Sequence, residues 1–199
     1  GEPLACVESV SWEAPARSFD GLLIGSANVF RHGGPGLAAL RDRPVHCVGE
    51  TTAEAARAAG FTVETVGRGG LAPVVASLAG RNLDLMRLCG EARIALDVPA
   101  GIAVTDVIVY RVRHLPIAPA LAEQMRTGGV VVLHSAELAG HFASECDRLG
   151  LDRSSFEPVL IGPRLVPMIG TGWRAVHIAE RPEDAALLAL AAQVCSKAG

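Results

Sequence analysis

Hydrophobic and polar positions along this chain follow two patterns, which together predict strands that alternate with helices. Short runs such as Gly21–Gly25 and Val130–Leu133 are continuously apolar, as in strands buried on both faces of a parallel sheet. Longer segments such as Ala53–Ala59 and Glu137–Leu149 are rich in helix-forming residues. Because strands alternate with helices at this spacing, the sequence predicts parallel sheets and an α/β fold.

The same patterns predict further strands and helices along the chain. The strands are expected at Leu4–Val10, Pro44–Val48, Phe61–Val66, Leu85–Cys89, Ile102–Val112, Pro158–Ile161 and Ala175–Ala179. The helices are expected at Leu71–Leu78, Ala118–Thr127 and Glu183–Lys197. Residues 92–101 are few and are interrupted by Pro99, so we expect a loop there.

A strand-to-helix joint is predicted at Val48–Gly60. Thr51 or Thr52 is expected to cap the helix, with Glu54 completing a capping box and Gly60 ending the helix. The free N terminus of a helix that follows a parallel strand is a potential anion site. An ordinary joint of an α/β domain explains the same residues without a ligand.

A similar strand-and-turn unit recurs about one domain length further on. Aligning Ser26 with Ser135 gives an offset of 109 residues, and aligning Gly49 with Gly162 gives 113. Two offsets this close predict two copies of one half-domain. We therefore expect two related α/β lobes with a cleft between them.

Composition and charge exclude several classes of protein. No apolar run approaches the ~20 residues that span a bilayer, and no signal peptide is recognised at the start. The net charge of −3 gives no general attraction to nucleic acid, and Lys197, the sole lysine, excludes a P-loop. Five widely spaced cysteines predict reduced thiols in a cytoplasm and no zinc site.

The histidines give no sign of a metal or hydrolase centre. They show neither i, i+4 nor HxH spacing, so no metal site is expected. His134 stands beside Ser135, but adjacent strand residues point to opposite faces. Since a G-x-S-x-G segment is also missing, hydrolase chemistry is excluded.

Four segments together resemble the uroporphyrinogen-III synthase family. They are Ser26-Ala-Asn28, the run Val48–Ala56, Leu88-Cys-Gly-Glu91 and Val109-Tyr-Arg111. The resemblance implies two parallel-sheet, flavodoxin-like α/β lobes joined by a two-stranded β-ladder. It places the terminal lobe at residues 1–15 and 113–199 and the inserted lobe at 16–112. From the resemblance we also expect the terminal lobe to lack the family's usual first strand and helix, which would leave an exposed sheet edge beside Val130–Leu133.

The resemblance also implies a reaction. Members of the family close hydroxymethylbilane, an open tetrapyrrole with eight carboxylates, into uroporphyrinogen III. Loss of water leaves an azafulvenium cation, and a spiro intermediate then inverts ring D. Because the pyrrole itself stabilises the cation, no cofactor or metal is implied. The expected protein is a cytoplasmic monomer that acts on a small molecule and engages neither nucleic acid nor membrane.

The site residues follow from the same resemblance. Tyr110 matches a family tyrosine and is assigned as the proton donor to the departing hydroxyl. The substrate-binding candidates are Ser26, Asn28, Thr51, Thr52, Ser135, Arg111 and Arg164, with Arg31, Arg68 and Arg113 as further cations. Gly162-Pro-Arg-Leu165 departs from the family's Gly-Pro-Thr-Thr and replaces a hydroxyl pair with a cation.

Simpler roles explain the same residues. Ser26 and Ser135 are suited to capping helices. Tyr110 is suited to packing its ring in a strand. Each single arginine is suited to a solvated position on the surface. The alternative function is a non-catalytic, two-lobed binding or regulatory module of the same fold.

Overall fold

The computed structural model describes residues 3–197, which form a mixed α/β structure. The strands are β1 (Ala5–Ser9), β2 (Gly21–Ile24), β3 (Val45–Val48), β4 (Val63–Gly67), β5 (Leu83–Gly90), β6 (Ile102–His114), β7 (Gly129–Leu133), β8 (Phe156–Leu160) and β9 (His177–Ile178). The helices are α1 (Asn28–His32), α2 (Glu50–Ala58), α3 (Leu71–Ser77), α4 (Pro119–Met125), α5 (Ala136–Leu149), α6 (Val166–Ile169) and α7 (Asp184–Lys197). Short 3₁₀ turns lie at Pro35–Leu40, Arg153–Ser155 and Pro163–Leu165.

The chain divides into two compact units. One comprises Val7–Arg113 and is called the internal unit here. The other combines Gly1–Cys6 with His114–Gly199 and is called the terminal unit. Both boundaries between the units fall within strands, one in β1 and one in β6.

The internal unit is built on a six-stranded sheet with the order β1-β6-β5-β2-β3-β4. The pairs β6–β5, β5–β2, β2–β3 and β3–β4 are parallel. Side chains alternate across this sheet, so Leu22 and Ile24 pack in one core with Ala53 of α2, while Leu23 packs in another with Val75 of α3. Apolar cores therefore cover both faces of the sheet, which explains why β2 is continuously hydrophobic.

The terminal unit is built on a three-stranded parallel sheet with the order β7-β8-β9. Helix α5 supplies Phe142 to a core that includes Leu160, and α7 supplies Leu187 to a core that includes Val159. Because Val159 and Leu160 are neighbours on β8, these cores lie on opposite faces of the sheet. Strand β7 forms one edge of this sheet.

Each unit contains one of the two tryptophans. In the internal unit, Trp12 donates its indole N–H to the carbonyl oxygen of Gly33 at 2.7 Å. In the terminal unit, Trp173 donates to the carbonyl oxygen of Ile169 at 3.1 Å, and its ring stacks on Phe142 with 5.7 Å between centroids.

The predicted α/β class with parallel sheets is confirmed, and most element positions agree with the sequence patterns. Residues 92–101 contain neither helix nor strand, as expected. Strand β9 is only two residues long, although Ala175–Ala179 was predicted. The start of α2 also differs from the prediction and is described with the site.

Glu145 is a buried carboxylate that holds the connection before α4. Its Oε2 accepts from the backbone N–H of Ile117 at 2.7 Å, and both its oxygens accept from Arg148, at 2.6 and 2.7 Å. Hydrogen bonds from Arg148, helped by the Ile117 N–H, lower the pKa of Glu145 to about 2 despite the opposing effect of burial.

This depressed pKa predicts a pH-dependent contribution to stability. The stabilisation is fully present above the ordinary pKa of 4.5 and is lost as the pH falls toward the folded-state value of about 2. We expect it to reach about 2 kcal/mol at neutral pH, less than the full shift implies, because the half-exposed Arg148 is screened by solvent. In urea unfolding, the stability difference between wild type and Glu145→Gln should shrink by more than half between pH 6 and pH 3.

The matched control is Glu123→Gln, which removes the exposed partner of Arg126 on α4. Its effect should be small at both pH values, since exposed ion pairs contribute about 0–1 kcal/mol. A difference for Glu145→Gln that stays constant from pH 6 to pH 3 would contradict the assignment.

Candidate functional site

A cavity of 220 Å³ lies in the internal unit at the carboxyl ends of β2 and β5. The chain runs from β2 to β3 and β4 on one side, then returns to place β5 on the other side of β2. The carboxyl ends of the neighbouring strands β2 and β5 therefore form a topological switch point, the place where open parallel sheets bind ligands. Side chains of Ser26, Arg87 and Tyr110 line this cavity together.

Ser26 reaches the cavity because it lies two residues after the end of β2. Its Oγ accepts from the backbone N–H of Asn28 at 3.2 Å, so the oxygen already has one local partner. Asn28 is the first residue of α1 and does not line the cavity. The capping role predicted for Ser26 is replaced by this turn, since Ala27 occupies the N-cap position of α1.

Tyr110 is placed by a β-bulge and by a close glycine. In the register between β5 and β6, Cys89 pairs with Ile108 but Gly90 pairs with Tyr110, so Val109 is an extra residue on β6. An added Cβ at Gly90 would lie 2.7 Å from Cε2 of Tyr110, which shows that the ring lies directly against this glycine. Val109 and Tyr110 both contact the core that contains Leu22 and Ile24, so the side chains of β6 do not alternate strictly between its two faces at this point.

Arg87 is the functional candidate that the sequence analysis missed. It is the only buried arginine among residues 3–197, with 7% of its side chain exposed. Its Nη2 donates to the carbonyl oxygen of Ile94 at 3.0 Å, whereas its Nε has no hydrogen-bond partner among the described residues. A buried donor without a partner costs about 1–3 kcal/mol, which makes the arrangement unusual. The available signal was a single arginine inside the apolar run of β5.

A carboxylate and a second arginine lie next to Arg87. Oδ2 of Asp106 accepts from Nε of Arg93 at 2.6 Å, and it lies 3.7 Å from Nη1 of Arg87. Arg93 also lines the cavity. The close hydrogen bond of Asp106 therefore goes to Arg93, and Arg87 lies at a longer distance from the same carboxylate.

Cys89 lines the same cavity but is not an activated nucleophile. Burial is the main cause that raises the pKa of its thiol above the ordinary value. Its Sγ–H points to the carbonyl oxygen of Val107 at 3.6 Å. A thiol kept protonated by its surroundings does not attack electrophiles readily, so we assign no covalent step to it.

Thr51 and Thr52 lie one strand away from this cavity, and neither caps α2. Helix α2 begins at Glu50 with Gly49 at the N-cap position, where φ is +77°. The predicted capping box with Glu54 is therefore wrong, because Gly49 supplies the turn and both threonines fall inside the first helical turn. Thr52 is buried and Thr51 is exposed, and both follow the carboxyl end of β3.

Ser135 and Arg164 follow neighbouring strand ends in the terminal unit. Ser135 comes after β7 and caps α5, with its Oγ accepting from the backbone N–H of Leu138 at 3.1 Å. Arg164 lies in the 3₁₀ turn after β8 and is exposed. Both residues therefore stand at the carboxyl edge of the parallel pair β7–β8.

The remaining arginine candidates are exposed and stay apart from the cavity. Arg111 and Arg113 lie on β6, where Nε of Arg113 donates to Glu8 at 2.7 Å and Nε of Arg111 lies 3.8 Å from the same carboxylate. Arg31 lies in the last turn of α1, and Arg68 lies in the loop after β4. None of the four lines the cavity.

Possible metal ligands and membrane spans were sought over the described part of the chain. Among residues 3–197, no group of three or more His, Cys, Asp or Glu side chains is arranged to hold a metal ion. The rings of His114 and His141 do stack, 4.7 Å apart, a pairing that their sequence spacing did not reveal. In the same residues, we find no helix with the length and apolar character needed to cross a bilayer.

Comparisons with known proteins give one matching family model and several solved structures of similar fold. The family model described as uroporphyrinogen-III synthase HemD matches residues 8–189. The structure is similar to a uroporphyrinogen-III synthetase from Helicobacter pylori, with a TM-score of 0.71 and 15% identity, covering 96% of this chain and 91% of that one. It is also similar to a mutant uroporphyrinogen III synthase from Thermus thermophilus, with a TM-score of 0.54 and 17% identity over 98% and 88% of the two chains. No curated protein matches the sequence.

Proposed function

Because the chain belongs to the uroporphyrinogen-III synthase family, we propose that it closes hydroxymethylbilane to uroporphyrinogen III, with loss of water and inversion of ring D. The observation that carries this proposal is the family match, which extends over nearly the whole chain. This places the protein among the cyclising lyases of tetrapyrrole biosynthesis. The alternative of a non-catalytic binding module is not favoured by any of the comparisons.

The first task of such an enzyme is to hold a flexible polyanion. The protein carries a net charge of −3, so attraction must come from local donors. Ser26 and Ser135 each use an oxygen lone pair to accept a backbone N–H, which leaves the hydroxyl hydrogen available to donate to a carboxylate. Asn28, Thr51, Thr52, Arg111 and Arg164 are the further binding candidates in this proposal.

Tyr110 is proposed as the proton donor to the leaving hydroxyl. The C–O bond breaks as the phenol proton passes to the oxygen, and the electron pair of the pyrrole nitrogen stabilises the carbon left behind as an azafulvenium. Water leaves, and attack by the substituted carbon of ring D gives the spiro intermediate. The bond between that carbon and its original methylene bridge then breaks, and the unsubstituted α carbon of ring D bonds to the bridge, which leaves the ring inverted. The proton that this carbon loses as the pyrrole becomes aromatic again restores the phenol, so bonds and protons balance over the cycle.

We also propose the finer architecture implied by the family. In it, residues 1–15 and 113–199 form the terminal lobe and residues 16–112 form the inserted lobe. The two are flavodoxin-like lobes joined by a ladder of β1 and β6. The position of both unit boundaries within these strands supports this view. A cytoplasmic monomer that requires no cofactor completes the proposal.

Incubation with freshly generated hydroxymethylbilane tests the activity. The products are separated into type I and type III isomers and compared with a reaction without protein. Formation of type III isomer above that background supports the proposal. Only type I product, appearing at the spontaneous rate, would refute it.

Tyr110→Phe should lower turnover at least several-fold while the isomer ratio and the folded structure stay unchanged. General acid catalysis contributes about 10²–10⁴-fold, and we expect the low end because this substrate ionises readily by itself. The matched control is Thr62→Val, which loses a hydroxyl at an exposed position outside the cavity. Wild-type turnover in a folded Tyr110→Phe protein would show that Tyr110 only packs its ring and does not donate the proton.

A further inference from the structure

The guanidinium of Arg87 has more donors than the protein provides acceptors for. Nη2 donates to the carbonyl oxygen of Ile94, but Nη1 approaches Asp106 only to 3.7 Å and Nε has no partner in the described residues. The carboxylate of Asp106 is already engaged at 2.6 Å by Arg93. Two of the three nitrogens of Arg87 therefore lack a hydrogen bond within the described chain.

The cavity beside Arg87 has the size of one acetate or propionate substituent of a tetrapyrrole, which is called an arm here. Its 220 Å³ is less than the ~300–1,000 Å³ of sites that enclose a drug-sized molecule. It lies at the topological switch point of the sheet and is shared by Ser26 and Tyr110. A whole tetrapyrrole is too large for it, but one acetate or propionate arm is not.

Carboxylate chemistry matches what Arg87 lacks. An ionised carboxylate accepts strong, charge-assisted hydrogen bonds from guanidinium N–H groups such as those that Arg87 leaves unpaired. Ser26 adds a hydroxyl donor in the same cavity.

We propose that Arg87 binds one carboxylate arm of the tetrapyrrole in this cavity and thereby fixes the substrate at the carboxyl end of β5, beside Tyr110. The inference rests on the proposed function, because that function supplies a substrate with eight carboxylates. Arg87 is thus a binding residue that selects for an acidic arm, and the contact with Ile94 orients its side chain.

Arg87→Gln should raise the KM for hydroxymethylbilane and weaken equilibrium binding of uroporphyrin III, each by at least about tenfold, with a smaller effect on kcat. Uroporphyrin III is a stable probe that keeps all eight carboxylates, and its fluorescence reports binding without turnover. Arg87→Lys keeps the charge but loses the planar fork, so its affinity should lie between those of wild type and Arg87→Gln.

The matched control is Arg81→Gln, which removes an exposed arginine of the same unit that pairs with Glu64 and does not line the cavity. Its KM and probe affinity should equal those of the wild type. If Arg87→Gln fails to fold, Arg87→Lys decides: intermediate affinity supports the proposal and wild-type affinity overturns it. A folded Arg87→Gln protein with KM and affinity within twofold of wild type also overturns it.

The two proposals fail in different ways. A wild-type protein that binds uroporphyrin III through Arg87 but forms no type III isomer would refute the proposed function and keep the carboxylate site. A wild-type protein that forms type III isomer, with Arg87→Gln equal to it in KM and affinity, would refute only the role of Arg87.

Discussion

Replacing Gly90 by alanine should reduce turnover of hydroxymethylbilane by about 10- to 100-fold in a protein that still folds. The added Cβ would lie 2.7 Å from Cε2 and 2.8 Å from Cζ of Tyr110. Carbon atoms do not approach this closely, so the ring must swing away and carry its hydroxyl with it. Steady-state kinetics measure the loss, and far-UV circular dichroism checks the fold.

Gly140→Ala is the control for this substitution. Its Cβ would meet Cε of Met168 at 3.7 Å, an ordinary contact, and alanine is favoured over glycine within α5. Activity and stability should both be retained. If Gly90→Ala folds and turns over at the wild-type rate, then the position of the Tyr110 ring does not matter for the reaction.

Gly128→Ala should destabilise the terminal unit by at least about 3 kcal/mol. Gly128 precedes β7 with φ of +76°, and a Cβ there would lie 2.2 Å from the backbone oxygen of Ser155. The strand pairing of β7 with β8 begins one residue later, so the backbone cannot move away without disturbing that pairing. The free energy of unfolding in urea measures the loss.

Gly150→Ala separates the clash from the strain. Gly150 also has a positive φ, +62°, but nothing lies within 4 Å of its added Cβ. The left-handed conformation alone costs an alanine about 1–2 kcal/mol. If Gly128→Ala and Gly150→Ala lose the same free energy of unfolding, the backbone around Ser155 adjusts to the added Cβ without cost, which would contradict the clash.

The sequence predicts the elements of this fold well because the cores impose simple periods on it. Strand β2 is buried on both faces and is therefore apolar at every position, which a sequence pattern reports directly. Helix α5 agrees with the segment Glu137–Leu149, whose helix-forming residues predict a helix there. The prediction for strand β9 was too long. Its ladder with β8 covers only two residues, and the number of paired residues cannot be read from amino-acid composition.

The candidate site was predicted less completely, for reasons that are local. The start of α2 was misplaced because a glycine with a positive φ serves as the N-cap, whereas the prediction assumed a threonine. Sequence alternation along β6 could not reveal the bulge at Val109, since the bulge depends on the register with β5. Arg87 was missed because its cavity is formed by residues distant in the chain, which only the folded sheet brings together.

The two tryptophans are natural fluorescence reporters, because each unit contains one of them. Trp12 reports on the internal unit and Trp173 on the terminal unit, and each is held in place by a hydrogen bond to a backbone carbonyl. A variant that keeps only one of them emits from one unit alone. Comparing the emission of Trp12→Phe and Trp173→Phe during denaturation thus shows whether the two halves of the chain melt together or in sequence, without any added label.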